Sequence, residues 1–212
     1  MAMNIDALER TLKKAFGDKL KYEVDREAEM IQIAWDGWDH YRDAQGEDSL
    51  RITLVLESSG EYLEVVAPGV YDASECRHIG ALSRLLLGVS MRTKIAQFSF
   101  DESDGEVRAS AEMALMDGTC TPKQLHATIG ILTAVVDAYH PHIVRVMETG
   151  EISFPDEGTV VRPTLEDSES KDGPLGRVDV DATIRDALAK ARETGRKMWE
   201  GAASARDVGR HG

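Results

Sequence analysis

Cysteine is scarce. Cys76 and Cys120 are the two in a chain of 212 residues, and neither sits in a C-x-x-C pair or near clustered histidines. That spacing speaks against a disulfide framework and against a zinc site. Cys76 falls on the apolar stripe of a predicted helix, where it reads as a small core residue. Long hydrophobic runs are missing too. The longest is short, around Leu85, Leu86 and Leu87, whereas a membrane-spanning helix needs about 20 apolar residues. The N-terminus carries Asp6 and Glu9 and lacks the apolar core of a signal peptide, so a cytoplasmic location is expected. Positive charge is also in deficit. Lys and Arg number 25 against 38 Asp and Glu, a net charge of −13. An acidic surface repels phosphate backbones, which argues against nucleic acid as a partner. The excess acid reads either as solvated surface or as an attraction for basic segments of another polypeptide.

Catalytic signatures are absent as well. There is no phosphate-binding G-x-x-x-x-G-K-[ST], no G-x-G-x-x-G and no G-x-S-x-G. No catalytic residue and no cofactor is expected, and the chain reads as a protein that is not an enzyme. Asp101, Ser103 and Gly105 briefly imitate a calcium loop, but Arg108 and Ala109 break the pattern, leaving a hairpin turn. His140 and His142 flank Pro141 at a spacing that can chelate. A metal site needs a third ligand and supporting groups, and the sequence offers none, so no metal is expected. His78 and His126 read as surface or packing residues on helices, and His40 lies in a polar loop.

What is present is enough apolar residue, 42%, for one real core. Ile5, Leu8, Leu12 and Phe16 recur at helical spacing over 4–16, and Gly17 stops that helix. Alternation then marks strands at Leu20–Val24, Ile31–Trp35, Ile52–Leu56 and Leu63–Ala67. The polar stretch Gly37–Asp48 is a long hairpin loop, and Pro68 and Gly69 are expected to end the fourth strand. Short connections predict an antiparallel meander. A second helix is expected from Asp72, with Asp72 as cap and Glu75 closing a capping box. Its stripe is Cys76, Ile79, Leu82, Leu86 and Val89. Two strands follow, Ala96–Phe100 and Val107–Leu115, turned by Asp104 and Gly105. The third helix opens with Thr121 as cap, Pro122 at its first position and Gln124 closing the box. Leu125, Ile129, Leu132, Val136 and Tyr139 form its face, and Pro141 is expected to kink or restart it.

The fold class is therefore α+β. It is an antiparallel twisted sheet with helices in the order α-β-β-β(β)-α-β-β-α, over residues 1–150. Residues 151–180 are rich in Pro, Gly, Ser and acids and read as a flexible linker. A thin stripe of Ile184, Leu188 and Trp199 predicts a tail helix over 181–200, and 201–212 reads as disordered.

This order, with the segment Lys94–Arg108 and the helix start Thr121–Leu125, resembles the YbjN family, itself similar to type III secretion chaperones. The resemblance covers roughly Asn4 to Glu148. It implies a secretion-chaperone-like fold, no catalytic residues, and a partner that is another polypeptide, with a homodimer as a further expectation. Four aromatics are candidates for gripping such a partner. Trp38 and Tyr41 stand at a loop mouth, Trp35 ends the strand before it, and Trp199 ends the tail helix. For Trp35 the competing reading is core, for Trp38 a local cluster covering the sheet edge, and for Trp199 an anchor to its own domain. A regulatory or structural docking subunit of a larger assembly is the alternative function, and a small-ligand sensor is a third.

Overall fold

Asn4 starts the first helix, α1 (Ile5–Phe16), because its side-chain oxygen accepts the backbone N–H of Ala7. Gly17 ends it at φ 71, a left-handed conformation that favours glycine. The computed structural model describes residues 2–17, 20–93 and 95–155. The described residues all belong to one compact unit.

After α1 come β1 (Tyr22–Asp25), β2 (Met30–Asp36), β3 (Ser49–Glu57) and β4 (Tyr62–Asp72), a meander as the short connections require. Helix α2 (Ile79–Arg92) leads to the hairpin of β5 (Ala96–Phe100) and β6 (Glu106–Ala114), and α3 (Pro122–Thr149) follows. All pairings are antiparallel, in the spatial order β1-β2-β3-β4-β6-β5. The hairpin therefore inserts β6 beside β4 and leaves β5 at the edge.

Directly paired residues point to one side of a sheet. Ile31 pairs Leu54, Leu54 pairs Val65, Val65 pairs Ala111 and Ala111 pairs Ala96, so one buried row crosses five strands. The helices supply Leu8, Leu12, Leu82, Leu85, Leu125, Ile129, Leu132, Val136 and Tyr139 to the same core. Burial of each such aliphatic side chain contributes about 1.5–3 kcal/mol. The expected face of α3 is the observed one, and its predicted capping box is present in full.

Two expectations fail at specific residues. Strand β4 does not stop at Pro68 and Gly69. It continues to Asp72, and a register shift between Ala67 and Tyr71 absorbs the proline, which has no N–H for the ladder. Gly69 takes φ 56 there and donates its N–H to Glu106 Oε1 at 2.8 Å. Helix α2 begins at Ile79, not Asp72, because Asp72 is already paired with Glu106 in the sheet. The Asp72 carboxylate accepts the N–H of Ser74 instead, and Cys76 lies in the turns that follow, half-buried. Of the two outcomes expected at Pro141, a restart is not seen: the proline lies inside α3, which is continuous over Pro122–Thr149 with Gly150 as its C-cap.

The expected linker also starts too early. Glu151 pairs with Arg145 at 2.6 Å, Ser153 Oγ lies 2.8 Å from His142 Nδ1, and the Arg92 guanidinium sits 3.7 Å from the Phe154 ring centre. Residues 151–155 thus pack on the domain. The remainder of the expected linker (156–180), the tail helix (181–200) and residues 201–212 lie outside the described residues.

Candidate partner-binding surfaces

The predicted aromatics are placed as follows. Trp35 lies on the core side of β2, 4% exposed, with its ring edge-on to Phe16 at 5.2 Å between centroids. Trp38 is half-buried, 6.3 Å from Trp35, and its indole N–H donates to the Trp35 carbonyl at 2.9 Å. Tyr41 is 3% exposed and packs edge-on against His140 and Tyr71. Burial pushes its phenol up to about 12. Trp35 and Tyr41 thus fill core positions of this chain, and Trp38 keeps part of its surface in water. Trp199 lies outside the described residues.

The loop that carries Trp38 and Tyr41 is fastened from across the molecule. Asp137 Oδ1 on α3 accepts the backbone N–H of His40 and of Tyr41, each at 2.8 Å. His140, one turn on, faces the Tyr71 hydroxyl at 3.2 Å from its Nδ1. Its burial lowers its pKa, while Asp137 acts in the opposite direction. His142 reaches Ser153 instead, so the two histidines have different neighbours. Among the described residues no three His, Cys, Asp or Glu side chains are grouped to hold a metal ion. The Asp101 carboxylate accepts both the N–H and the hydroxyl of Ser103, making the loop a hairpin turn.

His126 is not a surface residue. It is 5% exposed, stacked on Phe16 at 4.9 Å, and its Nδ1 has no hydrogen-bond partner among the described residues. Burial lowers its pKa, which keeps the ring neutral.

Sequence reasoning missed the most exposed apolar group. Leu87 and Met91, one turn apart on α2, are 68% and 89% exposed, and Ile95, just before β5, is 40% exposed. Their spacing of four is visible in the sequence. The neighbouring Leu85 and Leu86 are buried; the predicted stripe already placed Leu86 inward, and the rotation of α2 on the sheet adds Leu85 to it and leaves Leu87 out. Gly88 lies between Leu87 and Met91, and Phe154 occupies the room a side chain would take, 2.6 Å from the position of a Cβ there.

The adjoining strand is an open edge. Among the described residues β5 pairs only with β6, and its residues Ala96, Gln97, Phe98, Ser99 and Phe100 include no charge and no proline. An edge of this kind presents unpaired backbone groups to a further strand. The opposite edge, β1, carries Glu23 and Asp25.

These features define an α+β protein with helices layered on a six-stranded antiparallel sheet, exposed apolar residues on α2 and an uncharged strand, β5, on which that helix packs. No family model matches the chain, and no curated protein matches it. Among solved structures it is similar to YbjN from E. coli, with a TM-score of 0.48 and 10% identity over 67% of this chain and 94% of that one. It is also similar to the ExsC–ExsE complex, with a TM-score of 0.47 and 19% identity over 66% of this chain and 97% of that one. No described helix is long and apolar enough to cross a membrane.

Proposed function

We propose that this chain is a non-catalytic polypeptide-binding module, a chaperone or adaptor acting in the cytoplasm. The observation that carries the reading is the exposure of Leu87 and Met91 on α2 and of Ile95 at the start of β5, the uncharged strand on which α2 packs. A strand of a partner adds to such an edge through backbone hydrogen bonds, and its apolar side chains cover the stripe. Exposed apolar groups that cluster in this way mark interaction sites more often than scattered ones do.

The test compares full-length protein with the Leu87→Glu, Met91→Glu double variant, purified from the native host. A polypeptide recovered in near-stoichiometric amount with the parent and lost from the double variant supports the reading. A companion retained by the variant, or none with either, overturns it. Sedimentation of the purified parent shows whether the partner is a second copy, since the homodimer would have twice the chain's mass and the double variant would be monomeric.

A further inference from the structure

After α3 the backbone turns back onto the domain. Gly150 lies against the ring of His78, the N-cap of α2, and Phe154 lies against Gly88, ten residues along the same helix. Ten helical residues rise about 15 Å, and four extended residues reach about 13–14 Å. Residues 151–154 therefore run stretched along the groove between α2 and α3. Their side chains divide between its two walls. Glu151 pairs with Arg145 and Ser153 meets His142, both on α3, while the Phe154 ring rests on the bare backbone of Gly88 under the Arg92 guanidinium. Arg92 is itself held in place, donating to the Gly88 carbonyl at 3.1 Å.

The notch at Gly88 is built for an aromatic ring. Glycine inside a helix weakens it relative to alanine, but a methyl group here would stand 2.6 Å from the ring. A guanidinium over the ring face adds a cation–π attraction. The hold on the present occupant is light. The Arg145–Glu151 pair is more than half exposed on both sides, and such pairs contribute little. Among the described residues none of Ile152, Ser153 and Phe154 makes a backbone–backbone hydrogen bond. Ile152 is exposed, and Phe154 is half-buried. Leu87 precedes Gly88 and Met91 precedes Arg92, so the exposed pair on α2 borders the notch.

We infer that the groove between α2 and α3 is a docking site for a polypeptide segment carrying an aromatic residue, and that residues 151–154 are its cis occupant, displaced when such a segment binds. The occupant shows what chemistry the site takes. It supplies a carboxylate to Arg145, a hydroxyl two residues later to His142, and an aromatic ring next in line to Gly88 and Arg92. The role of the site rests on the proposed polypeptide-binding function, but its test needs no natural partner, so either can fail alone.

Isotope-labelled full-length protein is titrated with the capped peptide Gly-Glu-Ile-Ser-Phe-Pro, the sequence of residues 150–155, and followed by amide NMR. In the Phe154→Ala variant, saturable shifts are expected at Gly88, Arg92 and Arg145. In the parent the tethered ring competes at a millimolar effective concentration, so the peptide binds at least about tenfold more weakly. Glu151→Ala with Ser153→Ala, which keeps the ring and loses its fastenings, falls between the two. Replacing the peptide's phenylalanine with alanine, or adding Gly88→Ala to Phe154→Ala, abolishes the shifts. The inference is overturned if Phe154→Ala does not respond, if the parent binds as tightly as the variant, or if the alanine peptide binds equally well. A dimeric parent that becomes monomeric as Phe154→Ala assigns the groove to a second copy and overturns it too.

Discussion

The carboxylate of Asp137 and the backbone amide of Tyr41 meet at 2.8 Å across 96 positions of sequence. The same Oδ1 accepts the His40 amide, so one side chain on α3 anchors the loop between β2 and β3. Asp137→Ala leaves two amides without their acceptor, at a cost of about 1–3 kcal/mol. The expected result is a lower denaturation midpoint and faster amide exchange at His40 and Tyr41, with exchange in the β3–β4 ladder unchanged. Unaltered exchange in the loop contradicts this role.

His126 makes stability pH-dependent. Its folded-state pKa lies below the ordinary 6.5 because its site is dry. As pH falls through 6.5 the unfolded chain takes up a proton that the folded chain refuses, so stability drops toward the lowered folded value. Above 6.5 both states are neutral and the contribution is flat. His126→Leu is expected to flatten the dependence of the melting temperature on pH between 7 and 5 relative to the parent. Parallel curves for the two proteins would show that His126 does not titrate on unfolding.

Glu64 carries the opposite sign. Its pKa is raised in the folded state, chiefly by burial and then by Glu57 and Glu112. The stabilising contribution is therefore full below the unfolded carboxylate value and is lost as pH rises through the folded one. Glu64→Gln is expected to exceed the parent in stability at pH 7, by about 0.2–1 kcal/mol. At pH 4 the gap narrows, and chemical denaturation at both pH values measures it. A variant less stable than the parent at neutral pH rules out the repulsion.

Gly60 is a backbone necessity. It takes φ 87, and a Cβ there would collide with the Met3 carbonyl oxygen. Gly60→Ala must both adopt an unfavourable conformation and displace the chain before α1. A loss of at least about 1–3 kcal/mol is expected, with exchange-protection losses centred on Met3 and the Ser58–Gly60 turn.

Leu54 sits on the central strand β3 with no exposed surface, between Ile31 and Val65. Leu54→Ala is expected to cost about 2–5 kcal/mol by urea denaturation. Leu87→Ala, on the exposed stripe, should stay within about 0.5 kcal/mol of the parent. A large loss for Leu87→Ala would mean the stripe is already covered.

Elements set by short-range chemistry were legible in the sequence. Leu125, Ile129, Leu132, Val136 and Tyr139 share a face because 3.6-residue periodicity leaves them no other arrangement. Thr121 and Gln124 cap α3 through bonds only three residues apart. Asp104 and Gly105 turn the hairpin, with Gly105 at φ 82. Elements settled by distant partners were not. Asp72 and Glu75 formed a plausible cap, but Glu106 recruits Asp72 into β4, and the helix starts at Ile79. Pro68 looked like a strand end, yet pairing on both sides of it outweighs one missing N–H.

The surfaces divide along the same line. Residue order alone determined the alternation that makes a two-faced sheet, the acidic excess, and the lack of any catalytic motif, since each depends on local identity. Tertiary structure decided that Trp35 and Tyr41 turn inward, that Leu85 is buried beside the predicted stripe of α2, and that Glu64 faces Glu112. Those outcomes depend on helix rotation and strand register, which are chosen by the packing of the whole core and not by any segment's own sequence.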